Sequence, residues 1–261
     1  MIDSCRLCGS KNIYLYYTMG NDQEFRHYRC RECDLVNYDL EGGLNQEKYA
    51  EEFVDPADKN HIINIHQDDT YDFLKKNIHS KGRIFEIGCG NARVLYLARE
   101  DGWEVKGLEL SEFLAEKVTE RLNIEVEVAN FLEINPGPND KHDLIILRHV
   151  LEHLIEPLIA MDKIRSLLKS EGKVLMEFPN IQGIDVKLKR FLTKLGRKKK
   201  YAVGFVPGHA NEYSKRSFTN LLTKTAFTLL KWETYSSNPR KNFILNRIHI
   251  GNKARALIQK V

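Results

Sequence analysis

Between Arg83 and Phe178 the chain alternates short apolar runs with helix-length amphipathic stretches, and this alternation restricts the fold more than any other feature. "RIFEIG" ends in a glycine, and "ARVLYLARED" follows with helical spacing and closes at Gly102. "WEVKGLEL" reads as the next strand, "SEFLAEKVTERL" as a helix with Ser111 at its N-cap, and "IEVEV" alternates with period two. "DLIILR" is a nearly continuous apolar run, the pattern of a strand buried on both faces of a parallel sheet. A helix from Pro157 is expected to run to Gly172, with "KVLMEF" as the following strand. Repeated units of this length predict an α/β fold with a doubly wound, mostly parallel sheet and helices on both faces.

The 261 residues accommodate one such domain and a small appendage, and 42% hydrophobic residues supply its core. The appendage is expected in residues 1–40. Four of the five cysteines fall in two identical knuckles, Cys5-x-x-Cys8 and Cys30-x-x-Cys33. In a reducing compartment this spacing reads as a closed tetrahedral thiolate zinc site, which staples a segment too small for its own core. "YLYYT" and "FRHYRC" look like its strands, with "DLVNYDL" continuing the second into a zinc ribbon. Residues 41–80, with apolar side chains at three- and four-residue steps from Asn45 to Ile78, are expected to form a helical linker. Residues 81–261 then form the main domain.

In an open α/β sheet, ligands meet the backbone at the turn after the first strand. Gly88 and Gly90 occupy that turn. The dinucleotide pattern G-x-G-x-x-G is broken at Arg93, and Ala92 extends a rhythm of small residues at every second position, which suits a nucleoside without a pyrophosphate. Glu109 closes the second strand, where a carboxylate can accept both hydroxyls of a ribose.

With these features in place the sequence resembles the class I S-adenosylmethionine-dependent methyltransferases. "EIGCGNA", "GLEL", "VANFLE", "HDLIILRHVLEHL" and "GKVLMEFPN" lie in that family's order over residues 80–180. The resemblance implies S-adenosyl-L-methionine as cofactor, Glu86, Gly88 and Gly90 at its methionine end, Glu109 on the ribose, and Asn130 with Phe131 beside the adenine. Cys89, Leu110 and Arg148 complete the expected cofactor-binding set. Asn130 departs from the aspartate usual there.

A looser resemblance carries the N-terminal module. "CRLCGS" and "YRCRECDLVNY" look like the zinc-binding front end of bacterial methyltransferases acting on deoxysugars and surface glycans, and "PGHANEYS" before "SFTNLLTKTAF" looks like their post-sheet loop and helix. The further C-terminal domain of the deoxysugar enzymes is not expected here. The resemblance implies a sugar, nucleotide-sugar or surface-glycan acceptor.

A hydroxyl acceptor needs a base. His149, just past a strand's carboxyl end in "RHVLEHL", and His209 in "VPGHANEY" are the two catalytic candidates. Glu152 and His153 read as packing or cofactor-orienting residues. Net charge is only +4, but Lys187 to Lys200 contains eight basic residues and no acid. Within it, a basic amphipathic helical insert near 184–200 places Ile184, Leu188, Phe191, Leu192 and Leu195 on one face. Two readings stand: a helix packed on the sheet with a solvated lysine face, or a platform for an anionic acceptor and for peripheral contact with an anionic membrane surface. Otherwise a cytoplasmic location is expected, since the first residues have no signal-peptide pattern. An RNA methyltransferase and a non-catalytic zinc-ribbon adaptor are the alternatives. Nucleic acid is not the expected partner, because the knuckle module has no basic-aromatic clustering beyond "FRHYRCR".

Overall fold

The computed structural model describes residues 2–45, 52–135, 137, 140–194, 200–236 and 250–261, with side chains omitted at 189 and 192–194. The chain divides into two compact units. One comprises Tyr49–Arg148, Lys163–Leu175 and Gln259–Val261; the other comprises Met1–Lys48, His149–Asp162 and Met176–Ile258.

The first unit carries the parallel strands β4 (Arg83–Ile87), β5 (Glu104–Glu109), β6 (Val126–Val128) and β7 (His142–Arg148). Phe85 lies opposite Lys106 on one side and Ile145 on the other. Ile84, Phe85, Ile87 and Leu144 to Leu147 are all buried, which explains why these strands are apolar at consecutive positions. Each such side chain contributes about 1.5–3 kcal/mol on full burial. Helices α1 (Ile62–Asn77), α2 (Arg93–Glu100) and α3 (Glu112–Leu122) belong to this unit. Ser111 caps α3 as expected, accepting the Leu114 amide at 3.3 Å, and Asn123 ends it in the left-handed region at φ 52°.

The helix α4 (Pro157–Leu167) and strand β8 (Leu168–Pro179) follow. The expected helix to Gly172 stops a turn early, and residues 168–172 open the strand instead. Leu168 is fully buried there, and Lys169 reaches the Asp143 carboxylate at 2.7 Å. Tertiary contacts outweigh the weak helical preference of "KSEG". The linker is also less helical than expected: α1 begins only at Ile62, and residues 52–61 are irregular backbone and turns. Residues 46–51 lie outside the described residues. In the turns, Asn64 Nδ2 donates to the carbonyls of Asp55 and Asp58 at 2.8 and 2.7 Å, so a buried amide holds the backbone where helical bonds would be.

The second unit contains a four-stranded sheet of β1 (Ile13–Met19), β2 (Phe25–Cys30), β3 (Val36–Tyr38) and β9 (Asn211–Glu212), in that order. "DLVNYDL" does not continue β2. The chain reverses at Asp34, φ 75°, and β3 returns antiparallel to β2, because the second knuckle must fold back to bring its two cysteines together. The fourth strand comes from far along the chain: Val36 pairs with Glu212 and Asn37 with Asn211. Helices α5 (Ile184–Lys194) and α6 (Lys215–Lys224) and strand β10 (Phe227–Tyr235) complete this unit, together with most of β11 (Lys253–Lys260). Ser214 and Ser217 form a reciprocal cap on α6, and Phe178, Phe218 and Trp232 pack ring on ring. The larger sheet has strand order β10-β11-β8-β7-β4-β5-β6, the doubly wound, Rossmann-like arrangement expected, with β8 and β11 running through both units. Among the described residues no helix is long and apolar enough to cross a membrane.

Candidate cofactor cradle and thiolate cluster

The glycine turn after β4 owes its shape to three alternating departures from ordinary backbone geometry. Gly88, Gly90 and Ala92 adopt φ of 68°, 53° and 55°, so the small-residue rhythm marks every second residue of the turn as left-handed. Ala92 is the N-cap of α2, and no side chain caps that helix. The Gly88 amide is held by the Leu108 carbonyl at 2.7 Å. Among the described residues a Cβ built on Gly90 would meet no heavy atom within 4 Å, which leaves open space above the turn for a ligand. Cys89, by contrast, points inward. Its sulfur would lie 2.8 Å from a Cβ on Gly107, and burial pushes its thiol well above the usual range.

Glu109 is buried at the end of β5 and organises the same turn. One carboxylate oxygen accepts the Gly90 amide at 2.8 Å; the other accepts Leu110 and Ser111 amides at 2.8 and 3.1 Å. Three donors occupy most of the roughly four acceptor positions of a carboxylate. Leu110 is exposed beside it. Glu86, on β4, is completely buried, and its Oε1 accepts Arg148 Nε at 3.0 Å. Glu86, Gly88, Gly90, Glu109 and Arg148 therefore belong to the carboxyl ends of adjacent strands β4, β5 and β7. A separate shallow pocket lined by Tyr71, Leu74 and Trp103 involves the opposite strand ends.

Asn130 is exposed, with Oδ1 accepting the Leu132 amide at 3.1 Å and Nδ2 donating to Glu133 at 2.9 Å. That second bond accounts for asparagine here, since an aspartate would face the Glu133 carboxylate without a proton between them. Phe131 is buried. Sequence reasoning passed over two residues that brace the turn. Asn91 accepts the Val54 amide at 2.9 Å, and buried Arg93 pairs with Asp68 at 2.8 and 3.1 Å and reaches the Pro56 carbonyl. The signal for Arg93 was present: a charged residue replaces glycine in a tight turn only when it has a partner.

In the second unit the four cysteines converge, with all four sulfurs within 4.8 Å of one another. Cys5 and Cys33 sulfurs are 3.4 Å apart, Cys8 and Cys30 sulfurs 3.5 Å. Four thiolates at 2.3 Å from a tetrahedral zinc stand about 3.8 Å apart, so the donor set fits such an ion after small adjustments of the sulfurs. Asn37 Nδ2 lies 3.7 Å from Cys5 Sγ, an outer donor of the kind that steadies a thiolate ligand.

The same unit holds the histidines. His149 has φ 56°, its amide donates to the Glu177 carbonyl at 2.8 Å, and its Nδ1 is 3.2 Å from Glu152 Oε1. His153 Nδ1 donates to the Gly208 carbonyl at 2.7 Å, and the His209 ring stands edge-on to His153 with centroids 5.0 Å apart. Both catalytic candidates thus fall in one cluster, joined by Glu152 and His153.

The model of a family described as a methyltransferase domain matches residues 59–231 of this sequence. The chain belongs to the methyltransferase domain family. It is an S-adenosylmethionine-dependent methyltransferase of the class I fold. An uncharacterized protein of Methanocaldococcus jannaschii is 29% identical to the methyltransferase over 71% of this chain and 82% of its own length. A ubiquinone biosynthesis O-methyltransferase of Coxiella burnetii is 24% identical over 53% of this chain and 61% of its own. The solved N-methyltransferase NodS of Bradyrhizobium japonicum, in complex with S-adenosyl-L-homocysteine, matches with a TM-score of 0.55 at 14% identity, covering 80% of this chain and 94% of that one. At that identity the likeness is one of fold.

Proposed function

We propose that the methyltransferase methylates a hydroxyl of a sugar, nucleotide-sugar or surface-glycan acceptor. The observation that carries this reading is the pairing of β3 with β9. It joins "DLVNY" and "PGHANEYS", two of the segments similar to glycan-modifying enzymes, in one sheet, with Arg6 of "CRLCGS" donating to the Ala210 carbonyl at 3.0 Å.

The open space at Gly90 and the buried carboxylates around it fit a nucleoside cofactor. S-adenosylmethionine, when bound, supplies an electrophilic methyl group on a sulfonium. In this reading Glu86, Gly88, Cys89 and Gly90 border its methionine end, Glu109 and Leu110 its ribose, and Asn130 and Phe131 its adenine, while Arg148 holds Glu86 in place. His149 is the base. Its Nδ1 is oriented by Glu152, which leaves Nε2 to take the hydroxyl proton, and its unusual backbone angle is of the kind found at functional positions. His209 is the rival base in the same cluster. The four cysteines hold a structural zinc.

The insert supports an anionic or amphiphilic acceptor. Ile184, Leu188 and Phe191, one stripe of α5, are 50%, 55% and 58% exposed, and Lys187 beside them is exposed too. This differs from a helix packed on the sheet through that stripe. Residues 195–199, the rest of the basic run, lie outside the described residues. Soluble enzyme acting peripherally at an anionic membrane surface is the matching location.

The test is transfer of isotopically labelled methyl groups to nucleotide sugars and surface-glycan extracts. Label in a sugar acceptor, lost in His149→Ala with cofactor affinity unchanged, is the expected result. Label in RNA instead, or a chain that does not bind S-adenosylmethionine, would overturn the proposal.

A further inference from the structure

Outside the cradle and apart from the four cysteines, one further cluster among the described residues has the composition of a metal centre rather than of a packed core. Glu152, His153 and His209 each present one ligand atom, and these atoms all lie within 4.8 Å of one another. We propose that these three residues form a second metal site, for a divalent first-row ion of the zinc class held by two imidazoles and one carboxylate.

Three observations converge on it. Glu152 is 1% exposed; its Oε1 faces His149, but among the described residues Oε2 has no hydrogen-bond partner. A buried carboxylate oxygen left alone is costly, and a cation beside it removes that cost. Second, the Gly208 carbonyl can only accept, so the 2.7 Å bond from His153 Nδ1 makes that nitrogen the donor and puts the ring's lone pair on Nε2. A metal-ligating histidine is oriented in this way, by an outer acceptor on its other nitrogen. Third, the two contributing segments are fastened together by hydrogen bonds to the backbone of residues 152–155. Ala210 donates to the Glu152 carbonyl at 2.9 Å, and Asn211 Nδ2 donates to the carbonyls of Leu154 and Ile155 at 2.7 and 3.2 Å. His209 is thereby brought to residues 152 and 153, with the residue before it serving as the acceptor for His153.

The donor set selects the ion. Imidazole suits zinc, cobalt, nickel, copper and iron, whereas calcium and magnesium prefer all-oxygen sites. Bonds of about 2.0–2.1 Å draw ligand atoms to about 3.3 Å in a tetrahedral arrangement, so binding tightens the cluster. Three protein ligands leave a position open for water or a small oxygen ligand, which distinguishes this site from the closed thiolate cluster. Both histidine rings are half-buried, so the open position is reachable. The site stands independently of the identity of the methyl acceptor.

The experiment is a cobalt(II) titration of the untagged full chain, read by absorption and by metal analysis after desalting. Cobalt in the cysteine cluster gives an intense thiolate charge-transfer band. Cobalt in the proposed site gives only weak visible bands, and one such equivalent per chain is expected in addition. His209→Ala should remove the weak-band equivalent and spare the thiolate one, with circular dichroism reporting that the variant is folded; Glu152→Gln gives a second, independent removal. Cobalt bound with thiolate bands only, or a weak-band equivalent that survives both substitutions, would overturn the site. Since the wild-type spectrum already decides the first point, the result does not depend on any variant folding.

Discussion

Arg148 Nε sits 3.0 Å from the Oε1 of Glu86, and Glu86 is wholly buried. A carboxylate at the carboxyl end of β4 thus has its charge balanced by the last residue of β7. Removing the arginine takes this compensation away from a buried carboxylate. Arg148→Met should lower unfolding free energy by about 3 kcal/mol, measured in urea, and the Glu86→Gln/Arg148→Met double variant should recover part of that loss. A single variant as stable as wild type would show that the pair does not hold the cradle together.

Glu109→Ala should weaken S-adenosylmethionine binding by about 1.5–3 kcal/mol, or roughly 10- to 150-fold, as read by calorimetry. The effect includes loosening of the turn, because the Gly90, Leu110 and Ser111 amides lose their acceptor. Gly88→Val should abolish binding, since a β-branched residue does not adopt φ 68°. Ala92→Gly is the control: it relieves a left-handed alanine and should not destabilise the protein. Unaltered affinity in both Glu109 and Gly88 variants would displace the site.

Freshly purified protein should hold zinc in the cysteine cluster, and Cys30→Ser should lose it. The damage should extend well beyond residues 1–40. Asp34 accepts the Ser214 hydroxyl at 2.6 Å and β3 pairs with β9, so hydrogen exchange should also accelerate at 210–217. Exchange confined to the first forty residues would mean that the ribbon is energetically separate.

Cys89 should resist thiol reagents in the folded chain. After zinc is chelated, four thiols should react and the fifth only on unfolding, because burial pushes the Cys89 thiol well up. Gly107→Ala should cost about 1–3 kcal/mol by overpacking, with its new Cβ 2.8 Å from that sulfur, and Cys89→Ala should rescue it. Additive losses in the double variant would deny the contact.

His142 is buried against Phe85, ring centroids 4.8 Å apart, and desolvation, reinforced by Arg83 and Lys106, lowers its pKa from 6.5 to about 4. Between those values the unfolded chain binds a proton that the folded chain does not. Its contribution to stability is therefore full above about pH 6.5 and is lost as pH falls toward 4. His142→Phe should flatten the pH dependence of urea unfolding in that window. An unchanged slope would mean that the histidine is not buried neutral.

The sequence alone determined the elements whose causes are local. Continuous apolar runs identified β4, β7 and β8, Ser111 identified the start of α3, and the spacing of small residues at 88, 90 and 92 identified a turn that a bulky residue could not form. The paired knuckles named the four cysteines that converge. What the sequence could not determine are relations between distant segments. The union of β3 with β9 joins Asn37 to Asn211, and the approach of His209 to Glu152 depends on backbone bonds across more than fifty residues. Local pattern misjudged residues 168–172 and 52–61 for the same reason: partners distant in sequence or buried, such as Asp143 and Asn64, settled their conformation. Side-chain periodicity records which face is buried; it does not record against what. Only the folded chain supplies the second partner, and with it the balance of charge at Glu86, the unpartnered oxygen of Glu152 and the exposed stripe of α5.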